Sequence, residues 1–242
     1  MLTRVKETVR GLCRSCGLDV RRIPRYRPFA WLEDWNIRTV LDVGANTGQF
    51  AALIHQALPR ARVYSFEPLA DCCKRLEQNM AGVSGFQAFD FALGDTTGRT
   101  QIHRSDAPES SSLLPMGDLH RTAFPHTAKT HVETIEIRRL DEVARDLEID
   151  DDILIKVDVQ GTEDKVISGG QQMFSRASVL IMETTFVPLY QDQVLFDAIY
   201  DRLRRMGFTY MGTEHIVRNP QTGRVLQCDS LFLRDAKGKG SY

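Results

Sequence analysis

The stretch TVLDVGANTGQFAALI, residues 39–54, constrains the fold more than any other part of the chain. Residues 39–43 are a short apolar, β-branched run of the kind that forms a buried strand. Helical apolar spacing then begins at Phe50, Leu53 and Ile54, and Gly44 and Gly48 lie between. A strand that turns through glycines into a helix opens an open α/β sheet, and such sheets take ligands at the carboxyl ends of their strands. The dinucleotide fingerprint G-x-G-x-x-G needs its middle glycine so that backbone can approach a pyrophosphate closely. Here that position holds Asn46, whose side chain would crowd the approach. The turn favours a nucleoside without phosphates over a nicotinamide dinucleotide.

The rest of the chain repeats the alternation. Strand-like runs occupy residues 39–43, 62–66, 86–91, 153–157 and 179–182, and helix-like runs occupy 48–57, 71–80, 141–147, 163–168 and 193–206. This order predicts an α/β fold with a mainly parallel sheet and helices on both faces. Residues 208–212 and 230–234, separated by a turn-rich piece containing NPQTG, predict an antiparallel hairpin at the sheet edge. A 242-residue chain that is 42% hydrophobic can bury a substantial core in one domain, expected over residues 30–242.

Residues 1–29 differ. They carry eight Lys/Arg against Glu7 and Asp19, a net charge of +6 in a chain whose total is −1. Leu2, Val5, Val9, Leu12 and Cys16 recur at helical spacing, which predicts a basic amphipathic helix followed by the proline-punctuated connector 21–28. Such a helix suits a cap on the domain, and its basic face also suits peripheral contact of residues 1–20 with an anionic membrane. The near-zero total charge argues against nucleic acid as a partner. Five cysteines, an odd number, with Cys13-x-x-Cys16 lacking a second ligand pair, read as reduced thiols in a cytoplasm, and no apolar run has the length of a membrane span.

One region breaks the rhythm. Residues 100–137 hold three of the nine prolines, an SSS run and four of the six histidines, His103, His120, His126 and His131. A long insertion of this kind reads as a lid or substrate-recognition loop, its ends tied by the strand-like TQIH and HVETIEIRRL segments.

S-adenosylmethionine, with a sulfonium, an amino-acid tail, a ribose and an adenine, asks for groups that stand at successive strand ends. Gly44 lets backbone lie flat against a nucleoside, and Asp42 can receive an ammonium. Glu67, in SFEPL about 20 residues beyond the turn, can accept both ribose hydroxyls, held in place by Pro68. Asp90 can accept from the adenine amine, with Phe91, Ala92 and Leu93 offering apolar surface. Asp158 ends the fourth strand and faces the same crevice.

Taken together, VLDVGANTGQFA, SFEPL, ALGD, SSSLL, ILIKVDVQGTEDKVISGG and ETTFVPLY resemble the FkbM-type family of S-adenosylmethionine-dependent O-methyltransferases, from about Val40 to about Gly207. The resemblance implies a class I methyltransferase (Rossmann-like) fold, with a seven-stranded sheet whose last strand is antiparallel. It implies Gly44, Asn46 and Gly48 on the methionine and ribose side, Glu67 at the ribose, and Asp90 with Ala92 at the adenine. It implies an acceptor hydroxyl on a sugar of a glycolipid, polysaccharide or glycosylated natural product, lipid-linked in some cases. A non-sugar metabolite hydroxyl is the alternative, and a nicotinamide-dependent oxidoreductase a more distant one.

Deprotonating an alcohol during transfer calls for a base or a metal. Asp158 is the first candidate, Glu183 at the end of the fifth strand stands in the same layer, and His103 and His131 offer imidazoles on the strands flanking the insertion. Asp158 and Glu183 together would suit a Mg²⁺-like ion, but no third ligand stands at suitable spacing, so no metal is expected. Ser110, Ser111 and Ser112 can bond a sugar or the cofactor carboxylate, or cap a turn.

Overall fold

A computed structural model describes residues 28–234 together with Cys13 and Cys16. The basic helix expected over residues 2–16 and most of the connector lie outside the described residues. In chain order the regular elements are β1 (Thr39–Val43), α1 (Gln49–Ala57), β2 (Arg62–Phe66), α2 (Ala70–Asn79) and β3 (Phe86–Phe89). After these come β4 (Ala92–Leu93), β5 (Gly98–Ser105), α3 (Asp118–Ala123), β6 (Thr130–Arg138), α4 (Leu140–Val143) and β7 (Ile153–Val157). The chain continues through α5 (Glu163–Gly169), α6 (Gln171–Arg176), β8 (Ala177–Thr185), α7 (Phe196–Arg205), β9 (Thr209–Arg218) and β10 (Val225–Leu233).

Seven strands form one sheet in the order β3-β2-β1-β7-β8-β10-β9. The first five are mutually parallel, and β10 runs antiparallel to both β8 and β9. This is the sheet that the family resemblance implies, with one refinement. The final strand is inside the sheet, and β9 is the edge.

All five residues of β1 are buried because helices cover both faces. Leu41, Val43, Ile155 and Val157 pack into one core layer, while Val40, Leu154, Val179 and Ile181 pack into the other. Such strands read as continuous apolar runs instead of alternating ones. The direction of chain growth reverses at β1, whose neighbours are β2 and β7, so the crevice beyond their carboxyl ends is the topological switch point where ligands bind.

The insertion is more ordered than its composition predicts. β5 and β6 pair antiparallel from Gly98↔Ile137 to Ser105↔Thr130, and β4 joins β6 to complete a second, three-stranded sheet. Between the hairpin arms, α3 and its flanking turns dock on the segment after β8, where Met116, Ala123, Val187, Leu189, Tyr190 and Leu226 bury one another. The third strand of the main sheet ends at Phe89 instead of continuing to 91, because the chain steps into β4 of the second sheet.

Gly169, at the end of α5, fixes how closely the second sheet approaches the first. A Cβ there would lie 1.8 Å from the carbonyl oxygen of Gly94, just beyond β4. Gly169→Ala is expected to destabilise the protein by about 1–3 kcal/mol or more, as overpacking against backbone does. Urea denaturation checks this; an unchanged midpoint would mean that the contact opens without cost.

Candidate active site

Two adjoining cavities occupy the crevice. The first lies over the ends of β1, β2, β4 and β7 and is lined in part by Gly44, Asn46, Glu67, Pro68, Ala92, Leu93, Ile102, Ser111, Ser112 and Asp158. Its floor depends on Gly44, which adopts φ +80° and whose Cβ, if present, would sit 1.8 Å from the Asp158 carbonyl oxygen. Backbone strain and collision both demand glycine there. Asn46 is also left-handed, at φ +48°, a conformation that asparagine tolerates better than most residues. Its N–H donates to Glu67 Oε2 at 2.8 Å, and the Leu69 N–H donates to Oε1 at 2.9 Å. Burial pushes the Glu67 carboxyl up to about 7, against the pull of those two N–H groups.

These groups fit S-adenosylmethionine. Ala92, Leu93, Ile102 and Leu113 form an apolar slot suited to a flat ring, Glu67 offers a carboxylate for a diol, and no Lys, Arg or His is among the lining residues. A site built for a pyrophosphate would want positive charge and an open glycine backbone at position 46.

A buried cation holds this floor from below. Lys156 Nζ donates to the Gly44 carbonyl at 3.2 Å and lies 3.3 Å from Asp158 Oδ2 and 3.7 Å from Asp42 Oδ1. Burial alone would lower its pKa, but Asp158, Asp42 and Asp229 outweigh that and hold the ammonium above its ordinary value. Asp42 is itself fully buried and accepts from Ser65 Oγ at 3.1 Å.

The second cavity opens beside the first. Glu109, Asp158 and Gln160 line both; beyond them it is bordered by Ser110, His120, Phe124, His126 and Thr127 of the insertion and by Glu183, Leu189, His215, Val217, Gln227 and Asp229. Gln160 ties the junction together. Its Nε2 donates to Asp158 Oδ1 at 2.8 Å and to Glu183 Oε2 at 2.6 Å, while its Oε1 accepts from the Tyr190 hydroxyl at 2.8 Å. The Gln160 carbonyl accepts from Ser112 Oγ at 2.6 Å, which ties the insertion to the loop after β7. The same loop is capped by Glu163, whose Oε1 accepts from the N–H groups of Val159 and Gly161. Burial pushes Glu163 up to about 7. It drives Glu183 well above its usual range too, helped by the charge of Asp158.

The structure gathers Gly44, Asn46, Glu67, Pro68, Ala92 and Asp158 around the first cavity and brings Glu183 into the second. Five expected residues stand elsewhere. Asp42 is beneath the floor, since strand alternation gives Val43 the cavity and turns Asp42 to Ser65 and Lys156. Gly48 starts α1 and packs against Leu76, where a Cβ would come within 2.7 Å of Cδ1. Asp90 is exposed in the step between β3 and β4 and lines neither cavity. His103 does not line one either: Ile102 faces the first cavity, so the next residue of β5 points away from it. His131 is exposed and lies 2.8 Å from Glu133. Ser111 and Ser112 line the first cavity, where their hydroxyls also accept from the N–H groups of Ser105 and Leu114 and so brace the loop.

Lys156, Gln160, Tyr190 and Asp229 were not singled out by the sequence, and His120 was noted only as one of the insertion's histidines. Lys156 and Gln160 flank Asp158 in KVDVQGTE, so a local signal existed for them; Asp229 reaches the site only through its pairing opposite Glu183 in β8. Among the described residues no cluster of three or more His, Cys, Asp or Glu is arranged to hold a metal, and no helix is long and apolar enough to cross a membrane.

A family model described as "Methyltransferase FkbM domain" matches residues 42–210. The 2-O-methyltransferase NoeI of Sinorhizobium fredii is 30% identical over 170 residues, covering 68% of this chain and 70% of NoeI. The AMB antimetabolite synthetase AmbE of Pseudomonas aeruginosa is 29% identical over 198 residues, which are 70% of this chain but only 9% of AmbE. Among solved structures, a methyltransferase FkbM from Methylobacillus flagellatus superposes with a TM-score of 0.50 at 16% identity; the match covers 81% of this chain and 43% of that one, and it shows a shared fold.

The raised carboxyls set a pH dependence. A carboxyl whose folded pKa exceeds its unfolded value contributes stability at low pH that is lost as pH rises from about 4.5 through 7, because the folded state then gives up a proton it held more tightly. Relative to the parent, Glu163→Gln should therefore gain roughly 3 kcal/mol of unfolding free energy between about pH 5 and pH 8. Paired urea titrations across that range check the sign, and a pH-independent difference would show that Glu163 ionises normally.

Proposed function

Because the chain belongs to the FkbM methyltransferase family, a family of S-adenosylmethionine-dependent enzymes, we propose that it methylates a hydroxyl group, most fittingly that of a sugar. The observation that carries this reading is the junction of the two cavities at Asp158 and Gln160. One cavity fits the donor, and the other is a polar chamber whose carboxylates, amides and imidazoles match the hydroxyls of a saccharide, with Phe124 as an apolar wall. The name of NoeI, a 2-O-methyltransferase, points the same way.

When bound, S-adenosylmethionine supplies a methyl group on a sulfonium whose departure leaves a neutral thioether. Glu67, Asn46 and the Gly44 backbone would hold it. The chain's own work is on the acceptor. Asp158 stands at the junction and, in this reading, accepts the proton of the acceptor hydroxyl as its oxygen forms the new bond to carbon. Gln160 fixes the angle of that carboxylate and ties it to Glu183, which is also bonded by Gln227. Lys156 lies 3.3 Å behind that carboxylate as its ion-pair partner. Much of the rate then comes from positioning, which is worth roughly 7–11 kcal/mol when reactants are held in line.

Asp158→Asn should lower kcat by about 10²- to 10⁴-fold while calorimetry still detects the bound cofactor product; near-normal turnover would remove Asp158 from the role of base. Labelled donor incubated with glycolipid, polysaccharide and small-metabolite extracts should label the saccharide fractions. Label confined to a non-sugar metabolite would move the acceptor to that class.

A further inference from the structure

Among the polar groups that line the second cavity, Asp229 and His120 stand without hydrogen-bond partners. Asp229, half-buried on β10, makes no side-chain hydrogen bond or ion pair among the described residues. His120 on α3 is 4% exposed, and its buried Nδ1 has no partner. Of the other carboxylates deep in the chamber, Glu183 is engaged by the amides of Gln160 and Gln227, and Asp158 by Gln160 and Lys156. A buried polar atom without a partner costs about 1–3 kcal/mol, which applies to His120 Nδ1, while the half-buried Asp229 carboxylate stands open to a ligand in the same chamber.

The charge of the chamber selects among ligands. Four carboxyl groups, those of Glu109, Asp158, Asp229 and the Glu183 that burial holds well above its usual range, line it, and no Lys or Arg does. Lys156 lies behind Asp158 and is already shared with Asp42. Burial raises the Asp229 carboxyl and the neighbouring charge of Asp158 raises it further, against a weaker downward pull from Lys156 and His215. Burial pushes His120 down to about 4, so near neutral pH its imidazole is uncharged and adds no positive potential. A phosphate or carboxylate acceptor would meet repulsion here, whereas a cation would relieve it.

We infer that the acceptor chamber recognises an amine-bearing polyhydroxy compound, such as an amino sugar, with Asp229 binding its ammonium group and His120 hydrogen-bonding a neighbouring hydroxyl. This rests on the hydroxyl-methylation reading above, and it adds a charge to the acceptor. Asp229 lines only the second cavity, so the donor's sulfonium does not account for it.

Calorimetric titration of the full chain, saturated with S-adenosylhomocysteine at neutral pH, tests the inference with the methyl glycosides of glucosamine, glucose and glucuronic acid. The amino sugar should bind about tenfold or more tightly than the neutral one, and the acidic one least. Asp229→Asn should collapse that preference without lowering the ligand-free Tm, because the carboxylate makes no hydrogen bond or ion pair among the described residues and the repulsion of Asp158 outweighs the attraction of Lys156. Equal binding of the amino and neutral sugars, failure of the amino sugar to bind at all, or a preference that survives in Asp229→Asn would each overturn the inference. A lower Tm for the variant would do so too, by making the carboxylate structural. The hydroxyl-methylation reading is scored separately by where label appears: transfer to a neutral sugar without amine preference leaves it standing, while amine-selective binding with no O-methyl product from any extract removes it and leaves the subsite.

Discussion

The arrangement turns on one buried ammonium. Lys156 reaches from β7 toward the glycine turn after β1 and meets the Gly44 carbonyl, Asp42 and Asp158 within 3.7 Å. Its neighbours are costly to bury apart and tolerable together, since a desolvated charge persists only where partners compensate it. The cluster therefore sets the distance between the two strand ends at the switch point. The cavity floor, the close approach of Gly44 to Asp158 and the direction of the Asp158 carboxylate all follow from it.

Above that floor, Gln160 is the connection between the two halves of the crevice. It has a left-handed backbone at φ +58°, and its amide spans Asp158, Glu183 and Tyr190 while its carbonyl takes Ser112. An amide can donate with one end and accept with the other, which lets a single side chain tie two carboxylates and a tyrosine. The insertion is therefore part of the chamber wall. Its docking on Tyr190 and Leu189 and its bond to Gln160 come from the same few residues that define the site.

The elements legible in the sequence were those whose signal is local. The strand-to-helix turn at Gly44, the acid after β2 and the parallel order of the main sheet each follow from a short pattern of glycines, acids and apolar runs. Asp90 and His103 fall outside the two cavities because the direction of a side chain depends on where a strand stops and on hairpin register, neither of which is written at the residue itself. Asp90 falls in a step between sheets, and His103 is one residue out of phase with Ile102. Asp229 was invisible for a different reason. Its place in the chamber comes from β10 pairing with β8 across more than 40 residues of chain, in a register that a hydrophobic pattern alone does not specify.

That pairing also governs how the protein can be assembled. β9 touches the main sheet only through β10, and β10 is wedged between β8 and β9, so β9 has nothing to join until its hairpin partner exists. On a ribosome the donor-site half, β1 to β3 with β7, can therefore close first, leaving β8 as a bare edge with unpaired backbone groups. Glu183 waits on that edge without Gln227 or Asp229 beside it. The acceptor chamber is complete only once the β9–β10 hairpin lies against β8.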